Sequence, residues 1–338
     1  MSNKLIIRHL MYDNIRLILP YPFTSEPEKD TFCTRFNLFV KDEKKGILHN
    51  KGYEGLEQNK GIYIKIDLPT AKKNGNISLS FSLHKFYNAM KYKQLFNYDD
   101  FNFESANEAY KLLTDFIKID ISTSLVKAFE VGINIITPTD PDDYMRELHR
   151  ITVNGRQMRI LEDLHYKEYK QYSTNKDKDK RIVYIFYNKT FEARSKLKDI
   201  EKKDNVPDNV LRIERDTHRP AEKVYFGQLF EANFQKMTKH EFRQRFVDDL
   251  EYQSSYIKTK DITSLQLEII KSIDIIGAKK TLLNKKILLQ NGTITPKQYQ
   301  FFRETLNKIT AKNMKYEKQI SKTAEIIKQL IFNKINNI

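Results

Sequence analysis

Arg181-Ile-Val-Tyr-Ile-Phe-Tyr-Asn-Lys-Thr-Phe-Glu192 and, about twenty residues on, Val210-Leu-Arg-Ile-Glu-Arg215 decide how this chain reads. Each half reads as a short strand. The first brings a tyrosine and a lysine to the end of an apolar run, and the second sets one acid between two arginines. Side chains of successive strand residues point to opposite faces. In Ile77–Lys85 one face is Ile77, Leu79, Phe81 and Leu83, and the other Ser78, Ser80, Ser82 and His84. In Ala128–Ile135 the apolar face is Phe129, Val131, Ile133 and Ile135, opposite Ala128, Glu130, Gly132 and Asn134. In Val210–Asp216 the second face carries Arg212, Glu214 and Asp216. If these strands share one sheet, His84, Glu130 and Glu214 converge on an open polar surface.

The rest of the chain alternates in the same way. Leu5–Leu10, Asn14–Leu19 and Gly61–Leu68 read as strands, and Lys73-Asn-Gly-Asn76 as a hairpin turn into Ile77–Lys85. The segment from Pro20 to Gln58, with a basic patch at Lys41–Lys45, reads as irregular. Ser105-Ala-Asn-Glu108 matches a capping box and opens a helix to about Ile119. Leu125–Ile136 is a strand, and a helix is expected from Asp140 through Leu148. From about Ile262 the apolar residues recur at helical spacing. Asn291-Gly292 interrupts that run, Pro296 sits in the first turn of another helix, and a third helical segment runs over 312–335. The expected fold is α+β, mostly antiparallel sheet with packed helices, compatible with two ferredoxin-like halves. Residues 1–255 would form this domain and 256–338 a basic helical appendage.

Composition narrows the partners. Among 338 residues, 59 Lys+Arg face 44 Asp+Glu, a net charge of +15 that favours a polyanion, nucleic acid first and an anionic membrane surface second. Residues 261–338 hold 14 basic against 6 acidic residues, about half of that excess. No apolar run approaches a membrane span or a secretory leader, and Cys33 is the single cysteine. A cytoplasmic protein without membrane partners is expected. No Gly-rich phosphate loop, His-x-His pair or Gly-x-Ser-x-Gly elbow occurs, which argues against an intrinsic ATPase.

Two carboxylates with an imidazole, Glu130, Glu214 and His84, are the donor types for Mg2+ or Mn2+. A plainer reading makes Glu130 or Glu214 an ordinary surface acid paired with Arg212 or Arg215. Tyr187 has a packing reading beside a chemical one, in which Lys189 lowers its pKa and binds phosphate. Tyr169 and Tyr172 are rival nucleophiles and base-stacking groups.

Taken in order, Ser80-Phe-Ser-Leu-His-Lys-Phe-Tyr-Asn88, Phe129-Glu-Val-Gly-Ile-Asn134, Tyr187-Asn-Lys-Thr-Phe-Glu192 and Leu211-Arg-Ile-Glu214 resemble the phage and plasmid replication initiators of the filamentous-phage gene II type. The resemblance spans about residues 61–230. It implies an enzyme that nicks one strand of a double-stranded origin and stays joined to the 5′ phosphate through tyrosine. That frees a 3′ hydroxyl for rolling-circle synthesis, and the displaced single strand is later rejoined. It maps the nucleophile onto Tyr187, before Lys189 and Glu192, and the family's acidic strand residues onto Glu130 and Glu214. On this reading His84 would join the two acids on the metal, and Lys85, Arg212, Arg215, Tyr169 and Tyr172 would contact DNA. Lys189 and Arg212 would orient the phosphate. The implied setting is a bacterial host whose helicase and polymerase extend the nick. The long N-terminal segment and the helical tail depart from the phage pattern. A mobilisation relaxase with the same chemistry, a non-catalytic origin-binding initiator and an RNA-binding protein are the alternatives.

Overall fold

The computed structural model describes residues 10–50, 59–99, 101–162, 169–173, 182–197, 203–252, 254–257, 263–312 and 317–336. Its fold is α+β. Up to His218 the strands among the described residues are β1 (Met11–Pro20), β2 (Leu38–Asp42), β3 (Ile47–Asn50), β4 (Tyr63–Asp67), β5 (Asn76–Ser82), β6 (Leu125–Ile136), β7 (Leu148–Val153), β8 (Arg156–Arg159), β9 (Leu161–Glu162), β10 (Tyr169–Ser173), β11 (Ile182–Asn188) and β12 (Val210–His218). All but β7 and β8 join one sheet in the order β2-β3-β4-β5-β1-β6-β12-β11-β10-β9, and its pairings are antiparallel. The helices of this part are α1 (Glu26–Arg35), α2 (Leu83–Tyr92), α3 (Phe103–Ile117), α4 (Pro141–Met145), α5 (Lys189–Lys196) and α6 (Ala232–Arg243).

By its internal contacts the chain forms two compact units, Met1–Glu251 with Glu325–Ile338, and Tyr252–Ala324. The first contains the sheet. One sheet face is apolar, with Ile15, Leu17, Ile64, Ile66, Ile77, Leu79, Val131 and Ile133 buried. Removing such side chains from water stabilises a core by roughly 1.5–3 kcal/mol each. The second unit is helical, with α7 (Ser264–Ile276), α8 (Ala278–Gln290) and α9 (Pro296–Lys312). Ile269, Ile270, Phe302, Leu306 and Ile309 form its core. The last helix, α10 (Lys322–Asn336), falls mostly in the first unit.

Several local expectations change. The segment read as irregular contains α1, β2 and β3. Helix α3 starts earlier than Ser105, because the Asn102 side chain accepts from the Ser105 amide at 2.6 Å and is the cap. The helix expected over Asp140–Leu148 stops at Met145, and Leu148 begins β7. The run from Ile262 breaks at Gly277, whose φ of +77° ends α7, and α8 starts at Ala278. The third tail helix starts at Lys322, after a strand over Glu317–Ile320. The strand expected over Leu5–Leu10 falls largely outside the described residues.

Candidate functional site

The site begins with a bulge. Tyr12 pairs with Val131 and Ile15 with Phe129, so Asp13 and Asn14 together oppose Glu130. A bulge of this kind re-aims side chains. Here Asn14 Nδ2 donates to Glu130 Oε2 at 2.6 Å, and Asp13 turns inward beside it. On the other side of β6, β12 places Glu214 opposite Gly132 and Asp216 opposite Glu130. The ligand oxygens of Asp13, Glu130 and Glu214 thereby lie within 4.8 Å of one another. Glu130 and Glu214 share the face expected from alternation. Asp13 was missed, because it lies between the two strands read from the sequence.

Arg212 runs through this cluster and is fully buried. Its Nη2 donates to Asp13 Oδ2 at 2.6 Å, its Nε to Glu214 Oε1, and its Nη1 to the Asn97 carbonyl at 3.1 Å. The expectation that Arg212 contacts DNA is therefore corrected: it is an internal counterion. Asp13 also accepts from Ser82 Oγ and from Asn97 Nδ2 (2.7 Å). Burial alone would raise the Asp13 carboxyl, but Arg212 and then Lys189 hold it well below the ordinary range. Burial raises Glu214, against the pull of Arg212. Glu130 is raised furthest, by burial and then by Glu214, Asp13 and Asp216. Three acids thus crowd one guanidinium, and the two glutamates are shifted toward their protonated forms.

Tyr187 ends β11 on the same face, opposite Arg212. Its phenol donates to Glu214 Oε1 at 3.1 Å. Burial, then the Glu214 charge, raises its pKa, so it rests protonated. The strand stops one residue later because Asn188 caps α5, its side chain accepting from the Phe191 amide at 3.0 Å. Lys189 is consequently the first residue of a helix and not a strand residue sharing a face with Tyr187. It still reaches the ring: Nζ lies 5.7 Å from the Tyr187 centroid and donates to Glu192 Oε2 at 2.8 Å. Burial and Arg212 lower Lys189, while Lys189 and Lys196 overcome burial to hold Glu192 down at about 2.

The remaining expected residues sit elsewhere. His84 is in α2, not on a strand, and is fully buried. Its ring stacks on Phe101 at 4.6 Å and its Nε2 lies 2.7 Å from Asp99 Oδ1. It is not among the groups whose ligand atoms converge. Arg215 points to the opposite sheet face, where its Nη1 donates to Glu241 Oε2 at 2.6 Å, so it is not beside Glu214. Lys85 lines a cleft of about 780 Å³ together with Glu130, Arg16, Lys196, Asp216 and His218. Tyr169 pairs with Tyr187 and Tyr172 with Tyr184 across β10 and β11; their side chains lie outside the described residues.

Gly132 leaves room for Glu214. A Cβ there would stand 2.9 Å from the Ile213 carbonyl oxygen and 3.0 Å from Glu214 Cγ. Gly132→Ala is expected to destabilise the fold by about 1–3 kcal/mol and to displace the Glu214 carboxylate. Urea unfolding measures the first effect, and an unchanged midpoint refutes the steric argument.

Family models, curated proteins and solved structures give no match to this chain. The likeness to the gene II initiators therefore rests on the four quoted segments.

Proposed function

We propose that this protein is a replication initiator that nicks one strand of a double-stranded phage or plasmid origin through a tyrosine–phosphodiester intermediate. The observation that carries the reading is the Tyr187 phenol hydrogen-bonded to Glu214 inside a cluster of three acids, with Lys189 alongside. In the proposed step the Tyr187 oxygen attacks phosphorus in line. A bond from that oxygen to phosphorus forms, and the bond from phosphorus to the 3′ oxygen breaks. The phenolic proton leaves along its hydrogen bond toward the Glu214 carboxylate. The departing 3′ oxygen takes a proton from water and becomes the primer hydroxyl. Lys189 holds positive charge beside the ring. Three oxygen donors suit a hard divalent cation, and Mg2+ or Mn2+ held by Asp13, Glu130 and Glu214 would neutralise charge at the phosphate. Rejoining needs no nucleotide, because the phosphotyrosine keeps the bond energy.

The test is incubation with supercoiled plasmid carrying the cognate replicon, with Mn2+ or with chelator. Open circles bearing protein on a 5′ end, formed only with metal, are the expected product. Open circles on a transfer origin instead would favour the relaxase reading. The satisfied Arg212 network favours a second reading, in which the acids are structural and the protein binds the origin without cutting. Tight, salt-sensitive binding with no open circles would support that one.

Metal affinity should depend on pH, because the ligands must be ionised. As pH falls through the raised pKa of Glu130, protons displace the ion; Mn2+ binding followed by calorimetry should weaken on acidification. Glu130→Gln should weaken it at least about tenfold and flatten this dependence. Wild-type affinity in Glu130→Gln would remove Glu130 from the site.

A further inference from the structure

The sheet face that carries the acids continues past them as a row of rings. Arg16 pairs with Ser80, Ser80 with Tyr63, Lys65 with His49, and His49 with Phe39. Directly opposed residues of an antiparallel pair share a face. Arg16, Ser80, Tyr63, His49 and Phe39 therefore lie on the side of Asn14 and Glu130. The Phe39 and His49 rings are 4.5 Å apart between centroids, and His49 and Tyr63 are 6.0 Å apart. Tyr63 lines the 780 Å³ cleft with Arg16 and Glu130, so the row opens onto the Glu130 side of the acid cluster. At about 4.8 Å per strand, five strand steps from Phe39 to Glu130 cover about 24 Å.

Two features point to what this row would hold. Phe39, at the outer end, is 39% exposed and continues the row of rings, so its face is open to a stacking partner. Cations stand along the row: Lys41 in β2 and Lys44 in the β2–β3 turn are exposed near Phe39, with Asp42 and Glu43 between them, and Arg16, Lys85 and Lys196 line the cleft with Glu130 and Asp216. Rings on an open sheet among lysines match the way unpaired bases are bound, stacked on aromatic faces while the backbone meets cations. A duplex buries its base faces and would use only the lysines.

We infer that Phe39, His49 and Tyr63 form a base-stacking subsite for an unpaired DNA strand that passes from the sheet edge through the cleft to Tyr187. The choice of DNA over another anionic polymer rests on the function proposed above. The stacking geometry does not.

The test uses full-length Tyr187→Phe protein with chelator, so that no cleavage intervenes. Fluorescence anisotropy then follows a labelled mixed-sequence oligodeoxynucleotide, its duplex and the RNA of the same sequence, at one fixed salt concentration. Adding Phe39→Leu should weaken single-stranded DNA binding about tenfold and leave duplex binding unchanged. Phe39→Tyr should retain wild-type affinity, since the ring remains. His49→Gln, checked for an unchanged melting temperature, should give a smaller loss in the same direction. Undiminished binding by Phe39→Leu, or an equal loss for duplex and single strand, overturns the subsite. Tighter binding of RNA than of DNA overturns the assignment of the strand. Absence of plasmid nicking would instead count against the proposed function, because this measurement requires no chemistry.

Discussion

Tyr187→Phe protein is expected to bind supercoiled origin plasmid as the wild type does and to form no covalent adduct, with nicking lowered on the order of 10⁴-fold or more. The substitution removes one oxygen. That oxygen is the proposed nucleophile and donates to Glu214 Oε1, while the ring and its contact with Lys189 remain. Loss of this hydrogen bond to a carboxylate costs about 1.5–3 kcal/mol of stability, and binding measured in parallel separates that cost from the loss of chemistry. The measurement is denaturing electrophoresis of 5′-labelled product, with binding followed in parallel. An adduct persisting in Tyr187→Phe would move the nucleophile to Tyr169 or Tyr172 on the neighbouring strand. Loss of binding together with nicking would mean that the hydroxyl, through its bond to Glu214, is structural.

Arg212→Met should be the most destabilising change at the site, by about 3–5 kcal/mol, although methionine fills much of the same volume. Arg212 lies between Asp13 and Glu214 with no exposed surface, and its removal leaves two buried carboxylates without their counterion. The pH dependence distinguishes this cause from a packing defect. In the wild type the Asp13 carboxyl is held low, so its contribution is fully present above its unfolded pKa and lost as pH falls through the folded one. In Arg212→Met the same carboxyls are raised, so the deficit should be largest near neutral pH and shrink on mild acidification. Asp13→Asn in the Arg212→Met background should recover part of the loss at neutral pH. Urea unfolding at two pH values reads both effects, and a deficit independent of pH would show that the lost contacts, not the uncovered charges, are responsible.

Residues whose positions follow from strand period were legible in the sequence. Phe129-Glu-Val-Gly-Ile-Asn134 alternates strictly, so Glu130, Gly132 and Asn134 had to share a face, and they do. Leu211-Arg-Ile-Glu214 behaves in the same way, which is why two of the three acids were named in advance. Where the pattern crosses into another element, period alone misleads. His84 continues the alternation of Ser78, Ser80 and Ser82, but the Ser82 hydroxyl accepts from the Lys85 amide and caps α2, so the next residues turn away from the sheet. Lys189 is carried into α5 by the Asn188 cap in the same manner. Both caps are local signals, read as strand because the apolar alternation ran up to them.

By itself, then, the sequence determined the α+β class, the faces of β5, β6 and β12, and the basic character of the helical tail, all of which depend on near neighbours. Tertiary structure alone decided that Asp13 completes the acidic cluster and that Arg212 lies inside it. Asp13 reaches Glu130 through a bulge between strands more than a hundred residues apart, and Arg212 is buried only once β1, β6 and β12 lie side by side. Pairing register between distant segments is set by the packing of the assembled sheet, and no spacing along the chain encodes it.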